Sequence, residues 1–150
     1  MVPMPAIPMR SRPTTSVGAV TTYLIATDSD DLFGLLDAAI GGTASLIRVS
    51  SGQAVRPAVR ELEPDLVVLD LQIGTMGAMA VCKDLRLEEG AGRLPRQNVL
   101  MLLDRPADVF LADRSGADGW VTKPIDPLQV RRAARAVAAG DGYRHQPSPA

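Results

Sequence analysis

Two short stretches of this chain consist wholly of Leu, Val and Met: residues 66–69 (Leu-Val-Val-Leu) and 99–103 (Val-Leu-Met-Leu-Leu). Such runs are too short for a buried helix. Their unbroken apolarity leaves neither side of a strand for water, so each reads as a strand covered on both faces. A chain with two such strands needs helices on both sides of one sheet.

The rest of the sequence supplies them. "TYLIA" at 22–26 is a first strand, and "DSDDLFGLLDAAI" sets Leu32, Leu35, Leu36 and Ile40 at helical spacing behind an acidic entry. Gly41 and Gly42 stop that helix, and "ASLIRVS" at 44–50 is a second strand. "GQAVRPAVRELE" is a helix with Val55, Val59 and Leu62 on one stripe, which Pro57 makes start late or kink near its beginning. After the strand at 66–69 come a Gly-containing loop at 74–77, a helix over "MAVCKDLRL" and a polar link, "EEGAGRLPRQ". The strand "NVLMLL" leads to a short helix at 106–116, a last strand "GWVT" and a last helix "DPLQVRRAARAVAAG" with Pro127 in its first turn. Strand and helix thus alternate five times. The expected fold is an open α/β sandwich around a parallel five-stranded sheet with five helices.

Composition narrows the function classes. The 150 residues are 46% apolar, enough for one soluble domain, placed at 21–140. Residues 1–20, with four prolines and no continuous apolar block, read as a flexible tail rather than a secretory signal, and 141–150 read likewise. A net charge of −1 gives no basic bias toward nucleic acid. One cysteine, Cys82, excludes an internal disulfide and fits a reducing, cytoplasmic setting. No apolar run approaches the roughly 18 residues of a membrane span. His145 sits alone near the end, so no nucleophile–histidine catalytic unit is indicated and the chain is not read as an enzyme.

Right-handed crossovers gather the carboxyl ends of parallel strands on one edge, where such folds place their sites. The residues just beyond those ends are Thr27 and Asp28, Asp70, Leu103 and Asp104, and Thr122, Lys123 and Pro124. A strand as apolar as 66–69 that stops on Asp70 demands compensation for a carboxylate at the rim of the interior. Converging acids repel unless a cation joins them, and hard oxygen ligands with room for water suit Mg²⁺. Lys123 offers a fixed positive charge.

Three segments in order, "LIATDSDDL", "PDLVVLDLQ" and "GADGWVTKPID", resemble the receiver domain of bacterial two-component response regulators over residues 22–140. The resemblance implies a flavodoxin-like, chemotaxis-regulator-like fold with strand order 2-1-3-4-5. It implies that Asp70 accepts a phosphoryl group from a histidine kinase or phosphotransfer protein. Asp28, Asp70 and the backbone carbonyl of Gln72 would hold Mg²⁺, and Lys123 would contact the phosphoryl oxygens. Leu103 and Trp120 fall at the family's switch positions. The face made by the fourth helix, last strand and last helix would bind a target protein or a second copy.

The match is atypical. Thr27 stands where receivers usually carry a second acid, Leu103 where they carry a hydroxyl, and Asp104 where they carry a small residue. Gly74 replaces a common proline, which should loosen that loop. Asp104 would oppose a phosphoryl dianion, and Leu103 has no donor to couple it to the switch. The reading is a stand-alone receiver that signals by protein–protein contact. The alternative is a pseudo-receiver adaptor that works without phosphorylation. A ligand-binding or catalytic flavodoxin-like protein has the least support, because no cofactor loop is present.

Overall fold

The structure is a computed structural model and describes residues 20–74 and 76–144. Most of the stretch 1–20, and residues 145–150 with His145, lie outside the described residues. The elements run β1 (Thr22–Ala26), α1 (Asp30–Ile40), β2 (Ser45–Val49), α2 (Val55–Leu62), β3 (Leu66–Asp70), α3 (Ala78–Gly90), β4 (Val99–Leu103), α4 (Val109–Arg114), β5 (Gly119–Thr122), α5 (Pro127–Ala138) and β6 (Tyr143–Arg144). All strand pairings are parallel, in the order β2-β1-β3-β4-β5-β6.

The two apolar runs lie in the centre as β3 and β4, and every residue of both is buried. Alternation along the strands divides the core into two layers. Leu24, Val67, Leu69, Met101, Leu103 and Trp120 face α2, α3 and α4, while Ile25, Val68, Leu100, Leu102 and Val121 face α1 and α5. Ser29 caps α1 by accepting the Leu32 N–H, and Asp126 caps α5 by accepting that of Gln129. Pro57 sits in the first turn of α2, just after a 3₁₀ turn at Gly52–Ala54, so the helix starts late without a break in its interior. No helix among the described residues is long and apolar enough to cross a membrane.

Two expectations need correction. The sheet has six strands rather than five, because Tyr143–Arg144, expected to belong to a tail, pairs with β5. Helix α3 also runs to Gly90, absorbing residues first read as a polar link. Glu88 explains the latter. It is buried on α3, where Arg56 and Arg60 of α2 and Arg93 compensate its charge.

Candidate functional site

The site is assembled at the carboxyl edge from the ends of β1, β3, β4 and β5. Beyond Ala26, the Thr27 amide still pairs with the Val49 carbonyl at 3.0 Å. The fully buried Thr27 hydroxyl accepts the Ser29 N–H at 3.1 Å and donates to Asp70 Oδ2 at 2.7 Å. The Ser29 contact occupies a lone pair and so helps to aim the hydroxyl proton at the carboxylate.

Asp70 is 2% exposed. Its Oδ1 accepts from Lys123 Nζ at 2.7 Å and from the Gln72 N–H at 3.2 Å. With Thr27 on the other oxygen, the buried charge has three donors. Lys123 reaches the site because its amide is tied to the Leu103 carbonyl at 2.7 Å, which fixes the chain at the end of β5. The Lys123–Pro124 bond that follows is cis.

Lys123 also donates to Asp104 Oδ1 at 2.8 Å, and the Gln72 side-chain amide bonds the other Asp104 oxygen. Thus Asp104 closes a chain of contacts from the β3 loop, across the end of β4, to β5. Burial works against the Lys123 ammonium, but hydrogen bonds to Asp104 and Asp70 outweigh it and hold its pKa above the ordinary lysine value. Burial would likewise raise the Asp104 carboxyl, yet the bonds from Lys123 and Gln72 hold it below the usual carboxylate range. Asp104 stays charged at neutral pH.

Asp28 is exposed at the rim. Its Oδ2 faces the loop after β3, where a Cβ added to Gly74 would approach within 3.2 Å. That loop is tied to its surroundings. The Gly74 carbonyl accepts from Met76 at 2.8 Å and from Gly52 at 3.4 Å. Asp30, in the first turn of α1, pairs with Arg48 at 2.6 Å. Arg48 also donates to the Thr27 carbonyl at 3.0 Å. This residue was not anticipated, since nothing in the β2 sequence marks one arginine as reaching across to β1.

Leu103 and Trp120 lie beneath the site in the core layer facing α2, α3 and α4, and neither joins the polar cluster. Leu103 is fully buried, and Trp120, 2% exposed, is already packed inward.

Mg²⁺ can be tested against these donors. Among the described residues no three His, Cys, Asp or Glu side chains converge as a metal cage. Asp70 Oδ1 already accepts two hydrogen bonds and Oδ2 one, from Thr27. Asp70 and the exposed Asp28 are hard oxygen donors, and with so few of them an ion at this edge would keep most of its water.

Comparison with known proteins agrees with the fold. No family model matches the chain. Among curated proteins it is similar to the DNA-binding response regulator MtrA of Mycolicibacterium smegmatis, with 38% identity over 90 residues, covering 59% of this chain and 37% of that protein. The chain therefore spans well under half the length of that relative. Among solved structures it resembles a LuxR-family two-component response regulator from Aurantimonas sp. SI85-9A1, with TM-score 0.72, 23% identity and coverage of 87% of this chain and 91% of that one. It also resembles the receiver domain of the Saccharomyces cerevisiae response regulator Ssk1, solved with the histidine phosphotransfer protein Ypd1 (TM-score 0.71, 19% identity, 83% and 92% covered). In fold and in sequence the chain is similar to the receiver domains of response regulators.

Proposed function

We propose that this receiver accepts a phosphoryl group on Asp70 from the phosphohistidine of a kinase or phosphotransfer protein and signals by binding another protein in the cytoplasm. The observation that carries the reading is Asp70 itself: a buried carboxylate at the end of a fully buried strand, 2.7 Å from a lysine ammonium. The resemblance to a receiver solved with a phosphotransfer protein supports the donor class.

The chemistry asks little of the protein beyond position and charge. An Asp70 oxygen attacks the phosphorus in line. The P–N bond of the donor breaks, and its electron pair stays on the imidazole, which takes a proton from solvent. Lys123 releases Asp70 Oδ1 and transfers its hydrogen bond to a phosphoryl oxygen, where it offsets the developing charge. Thr27 and the Gln72 amide hold the carboxylate orientation meanwhile. Asp28, Asp70 and the Gln72 carbonyl would hold Mg²⁺, which when bound neutralises phosphoryl oxygens. The chain acts here as a signalling module, not as an enzyme with a turnover of its own.

One observation favours the adaptor reading. Asp104 gives Lys123 a second anionic partner and thereby satisfies the site without a phosphoryl group. Titration with beryllofluoride and Mg²⁺, followed by amide NMR shifts, separates the two readings. Phosphoacceptance predicts saturable shifts at Gln72 and Lys123 that vanish in Asp70→Asn. Absence of such shifts in the parent protein would favour the adaptor.

A further inference from the structure

In-line displacement at phosphorus brings the incoming atom to the side opposite the leaving oxygen. For a phosphoryl group on Asp70 that side faces solvent, because the carboxylate is 2% exposed at the end of a strand buried along its whole length. Two side chains border it. Asp104, just after β4, and Gln72, in the loop after β3, are bonded to each other through the Gln72 amide and one Asp104 oxygen. Both are more open to solvent than Asp70, Gln72 fully and Asp104 in part.

Lys123 and Gln72 hold Asp104 against Asp70 at close range. One ammonium donates to both acids, at 2.7 Å to Asp70 Oδ1 and 2.8 Å to Asp104 Oδ1, so these oxygens lie within two hydrogen-bond lengths of each other. Gln72 spans the same gap from its own loop, with its backbone N–H on Asp70 Oδ1 at 3.2 Å and its side-chain amide on Asp104. The bonds from Lys123 and Gln72 keep Asp104 ionised. A carboxylate so placed can take one proton of a water, and the carboxamide oxygen can accept the other hydrogen. Phosphoryl transfer onto Asp70 uses neither side chain.

We propose that Asp104 and Gln72 promote hydrolysis of the acyl phosphate on Asp70, so that the chain resets itself. The inference rests on phosphoacceptance by Asp70. A water oriented by the Gln72 carboxamide attacks phosphorus from the solvent side. Its oxygen forms the new P–O bond while Asp104 takes one of its protons. The bond from phosphorus to the Asp70 oxygen breaks, and its electron pair stays on Asp70, which becomes a carboxylate again. Inorganic phosphate leaves, Asp104 returns the proton to solvent, and Lys123 ends between the two acids as before. The acid that opposes loading by repulsion therefore also shortens the loaded state.

The test loads the full chain with radiolabelled acetyl phosphate and Mg²⁺, removes the donor by rapid desalting and follows the loss of label from Asp70, which separates decay from formation. Asp104→Asn keeps the size of the side chain but cannot act as the base. It should slow decay about tenfold, less than a strong general base would give because a carboxylate is a weak one. Gln72→Ala should slow decay about threefold through loss of water orientation. Decay of the parent should be roughly twofold slower in D₂O, and that effect should disappear in Asp104→Asn, because the proton transfer is then absent. Decay in either variant as fast as in the parent, or an equal isotope effect in the parent and Asp104→Asn, would overturn this inference and leave phosphoacceptance by Asp70 standing. No label on Asp70 in either the parent or Asp104→Asn would overturn both.

Discussion

Thr27 donates its hydroxyl to Asp70 Oδ2 at 2.7 Å, placing a neutral donor on the carboxylate where many receivers place a second acid nearby. This contact steadies Asp70 without metal and leaves fewer anionic ligands for one. Thr27→Val should destabilise the fold by about 1 kcal/mol in thermal or denaturant unfolding, the ordinary net worth of a hydrogen bond. Thr27→Asp should lower that stability further, by adding a charge beside Asp70, yet strengthen Mg²⁺ binding by calorimetric titration. Equal Mg²⁺ affinity in parent and Thr27→Asp would mean that the ion does not sit at this edge.

Asp104 shares Lys123 with Asp70. Removing it frees the ammonium for a phosphoryl oxygen and deletes a repelling charge. Asp104→Ala should therefore raise the yield of acyl phosphate several-fold under identical donor conditions, measured on Phos-tag gels. A lower yield would assign Asp104 the opposite role, that of positioning Lys123 for transfer.

At the opposite edge of the sheet, Asp118 accepts the Val99 amide at 2.8 Å and pairs with Arg86 and Arg96. Burial would raise its carboxyl pKa, but the Arg96 and Val99 bonds and the nearby guanidinium charges hold it below the usual range. A carboxyl with a lowered folded pKa contributes stability above its unfolded pKa, and that contribution disappears as pH falls through the folded value. Asp118→Asn should cost about 2 kcal/mol at pH 7, and the gap to the parent should narrow once the pH drops below about 4. Urea melts across that range check it, and a gap constant with pH would contradict the assignment.

Trp120 is already inward, and Leu103 above it has no donor for a phosphoryl oxygen. A ligand shifts an equilibrium only by its differential affinity for the two states. Saturating beryllofluoride with Mg²⁺ should leave the Trp120 emission maximum nearly unchanged, and Leu103→Thr should introduce a response. A large shift in the parent that is lost in Asp70→Asn would indicate a conventional switch.

The sequence made the central sheet legible because continuous apolarity, as in β3 and β4, admits few alternatives. It marked Asp70, Asp104 and Lys123 as neighbours because parallel strands must end together. It could not reveal β6. Tyr143–Arg144 has no periodicity, and its position follows from tertiary facts: the missing Cβ of Gly119, the Trp120 face and the Asp113 carboxylate. The extension of α3 through Glu88 was hidden for a similar reason, since a buried glutamate is intelligible only once its arginines are in place. Within the site, the resemblance to receivers marked Thr27 and Asp104 as departures, whereas the hydroxyl's aim at Asp70 and the division of Lys123 between two acids depend on side-chain geometry.

The central claim is that Asp70 is a phosphoacceptor. Intact-mass spectrometry and peptide mapping after incubation with a small-molecule acyl phosphate and Mg²⁺ test it most directly. The account predicts a single phosphoryl adduct on the peptide containing Asp70, labile to hydroxylamine, more abundant in Asp104→Ala and absent in Asp70→Asn. An adduct that persists in Asp70→Asn, or no adduct in either the parent or Asp104→Ala, would contradict it.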